Sequence, residues 1–283
     1  MIADVVRNVG GAHVSSESLI APGVDPHLYK PTRKDIASVL RADVVFYNGL
    51  YLEGKMIDAL NRAKASGRKI YAIGEQIDPT LLIKTDEFSG QVDPHLWMDP
   101  ATWEKTIDFV RDRLSEELRS EAASIAENAE NYRSQINLLD SYCEKILATI
   151  PEQKRILVTA HDAFNYFGRR YGFEVIGIQG LSTESEAGVK DIERIISTLV
   201  AQKISAVFIE STVSDKNIKA LLEGAKAQGH HVVIGGSLFS DAMGAANTYE
   251  GTYIGMLDHN ATTITIGLGG SAPKAGLNTR LGE

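Results

Sequence analysis

Residues 122–150 read AASIAENAENYRSQINLLDSYCEKILATI. Within them Ala122, Ile125, Ala129, Tyr132, Ile136, Leu139, Cys143, Ile146 and Ile150 recur at spacings of three and four. That period puts side chains on one face of an α-helix. Pro151 follows and cannot continue the helix. A helix of this length spans ~40 Å at about 1.5 Å per residue. Such a stripe suits either a coiled-coil seam or a spine lying across two lobes. It occurs once, with a different kind of text on each side, and that favours the spine.

On both sides of the stripe, short apolar runs alternate with amphipathic ones. Before it, residues 43–48 (DVVFYN) and 69–74 (KIYAIG) predict buried strands, and residues 31–40, 51–66 and 102–118 predict helices. At the start, MIADVVRNVGG places Ile2, Val5, Val6 and Val9 on a short helix stopped by Gly10 and Gly11. After the stripe, strands are predicted at residues 155–160, 174–179, 206–210 and 231–236. Helices are predicted from near His161, at 189–202, at 215–228 and over 249–268, with a loosely packed tail from 269 to 283. Alternating strands and helices imply parallel sheets with helices on their faces. The expected fold class is α/β: two lobes, each with a mainly parallel sheet flanked by helices, joined by one long rigid helix. The expected boundaries are 1–118, 119–151 and 152–283.

The bulk composition excludes several classes. A length of 283 residues suits two modest domains. A net charge of −8 with no basic stripe argues against nucleic acid as a partner. One cysteine, Cys143, permits neither an internal disulfide nor a cysteine-based zinc cluster. No run approaches the ~18 apolar residues of a membrane span. No GxGxxG, Walker, HExxH or GxSxG pattern appears.

Histidines carry the strongest chemical signal. Asp25-Pro26-His27-Leu28-Tyr29 and Asp93-Pro94-His95-Leu96-Trp97 repeat one pattern. Proline restricts the local backbone, and the Leu-aromatic pair can anchor each loop in the core, so each histidine is held in place. His161 follows the apolar run ILVTA, and Asp241 lies just beyond HVVIGG. Ligands in open α/β sheets gather at the carboxyl ends of strands. Three imidazoles and one carboxylate suit zinc, and also manganese or ferrous iron when the carboxylate binds through both oxygens. Each residue has an ordinary alternative. A histidine on a loop can be a cap or a surface residue, and Asp241 can cap a helix running on from Ala242. His13, His230, His231 and His259 are assigned no ligand role. Glu184, Glu186 and Glu210 lie near strand ends and are supporting or structural candidates.

The segments APGVDPHLYKPT, ADVVFYNGLYLEGKM, DPHLWMDP, ILVTAHDAFNYFGRRYGFEV, STESEAG, VFIESTVSDKN, GGSLFSDAMG and EGTYIGM occur in that order after the opening helix. Together they resemble the TroA-like metal-binding receptors, the zinc, manganese and iron solute-binding proteins of bacterial ABC importers. The resemblance covers nearly the whole chain. It implies two lobes on a rigid helix, with metal held in the cleft by His27, His95, His161 and Asp241. It implies a transported Zn2+ or Mn2+ ion, or Fe2+, an ABC transporter membrane permease as partner, and no enzymatic activity. It places the mature protein in the periplasm or tethered by lipid outside the membrane, as a monomer, and makes Met1 internal, after a leader and a first strand. Manganese-dedicated relatives often carry glutamate where this chain has His161. Zinc-dedicated ones often carry a histidine-rich loop that is absent between His27 and His95. Asp99, Asp162 and Glu186 are candidates to orient the imidazoles. Because histidine must be neutral to bind, affinity is expected to fall as pH drops through about 6.5. The alternative readings are a zinc-dependent hydrolase, a cytoplasmic metal chaperone or sensor, and an adhesin-like role with an incidental site.

Overall fold

The computed structural model describes residues 1–85 and 91–282. The opening helix α1 (Ile2–Gly10) is followed by a long stretch without helix or strand, and then by α2 (Arg33–Arg41). Thr32 caps α2 in a reciprocal box with Asp35, which satisfies backbone donors that the first turn leaves free. Strand β1 (Val44–Tyr47), helix α3 (Ile57–Ala65) and strand β2 (Lys69–Ala72) form a βαβ unit. Its strands are parallel, with Val44 opposite Lys69 and Tyr47 opposite Ala72.

Helix α3 starts six residues later than the periodicity of residues 51–66 predicts. Gly49, Leu50 and Tyr51 have φ of 77°, 54° and 66°, which is left-handed backbone that cannot enter an α-helix. The helix predicted at 102–118 is two pieces, α4 (Pro100–Trp103) and α5 (Lys105–Glu117). Asp99 caps the first by accepting from Ala101 N, with Pro100 at its opening position.

The predicted spine is α6 (Ala122–Leu147), continuous over 26 residues. Ile125, Ala129, Tyr132, Ile136, Leu139, Cys143 and Ile146 are all buried. They share one core with Val5 and Val9 of α1, with Trp103, Ile107, Val110 and Leu114, and with aromatic and aliphatic residues of the second half. The helix is therefore part of the core of both halves. Asp4 of α1 accepts from Tyr132 Oη at 2.8 Å and from Tyr253 N at 3.2 Å, pinning three helices together.

The second half alternates β3 (Ile156–His161), α7 (Asn165–Tyr171), β4 (Glu174–Gln179), α8 (Val189–Ala201), β5 (Ala206–Glu210), α9 (Lys216–Ala227), β6 (Val233–Leu238) and α10 (Tyr253–Gly267). Strands β3 and β4 pair in parallel, as do β5 and β6, and β3 packs beside β5. Residues of α8 and α9 cover one face of these strands, and α10 packs against β6 and α6 on the other. Burial on both faces explains the near-continuous apolar text of ILVTA and AVFIE. Strand β6 begins two residues later than predicted, where Val233 N donates to Ser205 O. The tail is better held than its composition suggests: Leu277 N donates to Asp258 and Asn278 Nδ2 to Tyr249.

Candidate metal centre

His161 is the last residue of β3 rather than the opening of a helix. Its backbone stays extended because it continues the register opposite Gln179 and because its N–H donates to Glu210 Oε1 at 2.8 Å. The chain then turns sharply over β4, where Gly177 leaves room. A β-carbon there would lie 2.6 Å from Asp162 N. Asp241 does not cap a helix. The segment after β6 runs through turns until Thr252 caps α10, and the Asp241 carboxylate points inward.

His95 lies just before a short 3-10 turn, Leu96–Met98. Leu96 and Trp97 anchor it, at 0% and 1% exposure. Trp97 Nε1 donates to Ser240 O at 2.9 Å, and Tyr253 Oη donates to Trp97 O at 2.9 Å. The second Asp-Pro-His loop is thus clamped to the segment bearing Asp241. The first copy is anchored differently, since Leu28 is 45% exposed.

The fold brings His27, His95, His161 and Asp241 together, all buried, with one ligating atom from each within 4.8 Å of the others. His27 Nε2 lies 3.3 Å from His95 Nε2. Asp241 Oδ1 lies 3.4 Å from His95 Nε2, and Asp241 Oδ2 lies 3.2 Å from His161 Nε2 and 3.7 Å from His27 Nε2. A tetrahedron with arms of about 2.1 Å, the usual length of zinc–nitrogen and zinc–oxygen bonds, has edges of about 3.4 Å. The spacing therefore fits a metal ion at the centre. His161 Nε2 and both Asp241 oxygens are buried without a hydrogen-bond partner of acceptable geometry. Leaving such groups unsatisfied costs ~1–3 kcal/mol each, and a bound cation would satisfy all three.

Two carboxylates orient the rings from behind. Asp93 Oδ1 accepts from His95 Nδ1 at 2.7 Å and from its backbone N at 2.9 Å. Glu210 Oε2 lies 2.5 Å from His161 Nδ1. A carboxylate facing Nδ1 requires the proton there, which turns the lone pair of Nε2 toward the centre. These orienting roles differ from the sequence-based assignment. Asp99 caps α4 and accepts from Arg169, Glu186 accepts from Gln179 and Asn217, and Asp162 has no hydrogen bond to the imidazoles. Asp93 was visible in the repeated motif. Glu210 was among the supporting or structural candidates of the sequence, with no ring assigned to it, and the packing of β5 beside β3 places it behind His161. His13, His230 and His259 make contacts elsewhere, with Glu121, Ile204 O and Ser237 O respectively.

Burial and charge oppose each other at this site. For His95 burial acts to lower the pKa, but the Asp93 and Asp241 carboxylates outweigh it and carry it up to about 9. His161 is raised well above its ordinary value by Glu210 and Asp241, also against burial. Among the described residues no carboxylate lies behind the His27 ring, and burial lowers its pKa to about 4. Burial would raise Asp241, yet the His161 and His95 imidazoles hold it well below the carboxylate range.

The family model for the zinc-uptake complex component A, periplasmic (ZnuA), matches residues 1–267. The chain belongs to the ZnuA family. Among ZnuA-like relatives, the manganese-binding lipoprotein MntA of Bacillus subtilis is 47% identical over 264 residues, covering 93% of this chain and 86% of MntA. The zinc-binding protein TroA of Treponema pallidum is 42% identical over 268 residues, covering 95% of this chain and 86% of TroA. The iron-binding protein YfeA of Yersinia pestis is 31% identical over 269 residues, covering 95% of this chain and 84% of YfeA. The solved structure of Treponema pallidum TroA superposes with a TM-score of 0.91 at 42% identity, over 95% of this chain and 96% of that one. The ZnuA-family fold thus agrees with the α/β reading of the sequence, including its long connecting helix.

Proposed function

We propose that this chain captures one divalent transition-metal ion between its two lobes and delivers it to the membrane permease of an ABC importer. His27, His95, His161 and Asp241 are the ligands in this proposal. The observation that carries it is the closed, buried group of three Nε2 atoms and one carboxylate with tetrahedral edge lengths and orphaned polar atoms. The first lobe (1–118) supplies His27 and His95, and the second (152–283) supplies His161 and Asp241, with residues 119–151 linking them. Neither lobe completes the shell alone, so the ion itself favours closure, while α6 in the common core keeps the movement small. The named metals of the relatives are manganese, zinc and iron. Three nitrogen donors favour zinc over manganese by intrinsic affinity. The protein acts outside the cytoplasmic membrane as a monomer. A catalytic zinc keeps one position for water. Four protein ligands leave none, and a solute-binding family gives no support to a hydrolase or chaperone.

The chain purified without chelators or metal-binding tags is expected to carry about one zinc or manganese ion, read by mass spectrometry. A folded chain that stays metal-free after addition of either ion would remove the proposal.

Affinity depends on pH through the protons that metal displaces. The raised pKa of His95, about 9, exceeds its unfolded value of about 6.5. Protonation therefore stabilises the metal-free fold fully below about pH 6.5, and that contribution is lost as pH climbs through about 9. Metal binding must release this proton. Affinity is expected to keep rising across that window, higher than the 6.5 threshold expected of an ordinary histidine. Chelator competition between about pH 6 and about pH 9 checks this, and a flat profile contradicts it.

A further inference from the structure

We propose that the Thr183 hydroxyl and the Asp25 carboxylate form a latch between the lobes that sets how fast metal leaves, with Asp25 as a positioning residue for His27. This inference rests on the metal-receptor reading above. It comes from a difference between the two Asp-Pro-His copies. In the second copy Asp93 Oδ1 holds both the backbone and the ring of its histidine. In the first, Asp25 Oδ1 accepts from His27 N at 2.8 Å, and among the described residues no carboxylate lies behind the His27 ring. The second oxygen of Asp25 accepts instead from Thr183 Oγ1, on the loop between β4 and α8 of the other lobe.

The surroundings make that contact matter. Residues 14–32 form neither helix nor strand, and Leu28 is 45% exposed where its counterpart Leu96 is 0%. Tyr29 ties the loop to the first lobe, packing on its core and donating to Asp35 Oδ2 at 2.7 Å, but that anchor does not reach the His27 ring. Its placement, with Nε2 at 3.7 Å from Asp241 Oδ2, depends on a tie to the second lobe. When the loop of residues 181–188 moves away, Asp25 is released and His27 is the first ligand to go. The three remaining ligands are held rigidly by Asp93, Glu210 and the Trp97 clamp. Lys55 Nζ reaches Glu184 Oε1 of the same loop at 3.0 Å, with side chains 33% and 51% exposed. Exposed pairs of this kind contribute little and are screened by salt. The hydroxyl-to-carboxylate bond is charge-assisted and stronger, so it carries the latch.

The test uses the full chain loaded with zinc and times release to a chromophoric chelator. Thr183→Val keeps the shape and removes the hydroxyl. It is expected to release zinc about tenfold faster, the equivalent of one lost charge-assisted hydrogen bond. The metal-free Thr183→Val chain should keep the wild-type circular dichroism spectrum, and Thr183→Ser should restore the slow rate. Asp25→Asn should also speed release. Wild-type release from Thr183→Val, in a preparation whose wild type binds one zinc, overturns the latch and leaves the receptor reading intact. Fast release from both the Val and the Ser variants also overturns it, because packing rather than the hydroxyl would then be responsible. A wild type that binds no zinc overturns both.

Discussion

The Asp241→Ala chain is expected to retain no metal after gel filtration, with affinity lowered by more than about 100-fold. Losing a carboxylate that merely orients a ligand costs ~10–100-fold in metal affinity, and losing a ligand costs more. Asp241 is the only anion in the group, and its two oxygens approach all three imidazoles at 3.2 to 3.7 Å. Without it three nitrogen donors face one another with no charge to balance a divalent ion. The metal-free fold should tolerate the change better than a broken buried ion pair usually allows. His95 and His161 can release their protons once the carboxylate that favours them is gone. Calorimetry in two buffers of different ionisation enthalpy should show proton release on zinc binding to the wild type and no binding heat for the variant. Retention of about one metal per chain would remove Asp241 from the ligand set.

Glu210→Gln, a change of one atom outside the ligand group, is expected to weaken metal binding by ~10–100-fold. Glu210 faces His161 Nδ1 at 2.5 Å while its other oxygen accepts from the His161 backbone at 2.8 Å. In the variant the amide oxygen keeps the backbone bond, and the amide nitrogen then faces Nδ1. A donor opposite Nδ1 makes that atom the acceptor and moves the ring proton to Nε2, where the metal should bind. The site must then spend binding energy restoring the tautomer. Nitrogen NMR of the labelled, metal-free chain should show Nδ1 of His161 protonated in the wild type and unprotonated in the variant. Chelator competition should show the affinity loss, and unchanged affinity would mean that Glu210 serves only to join β5 to β3.

Several features were legible in the chain because local physics controls them. The stripe from Ile125 to Ile146 has a helical period, and burying one face is what a helix in a core must do, so α6 appears where expected. The strand AVFIE is apolar up to Glu210 because both of its faces are covered. The four candidate ligands stood out through a repeated motif and through positions just after apolar strands. Where the expectation failed, a tertiary contact intervened. Helix α3 starts late because left-handed residues 49–51 precede it. His161 stays in the strand because Glu210 holds its backbone.

The two Asp-Pro-His copies divide local from tertiary control most sharply. Their spelling alone shows that the backbone before each histidine is restricted, because proline limits torsions wherever it stands. Only the tertiary structure gives Asp93 a ring to orient and Asp25 a partner in the other lobe. Sequence singled out the candidate ligands and most of the elements that carry them, since propensity and periodicity act within a few neighbours. The closing of four distant side chains around one point, and the choice of Asp93 and Glu210 to set their tautomers, depended on strand pairing and lobe packing. Those contacts join positions up to more than a hundred residues apart, where spacing along the chain holds no information about distance.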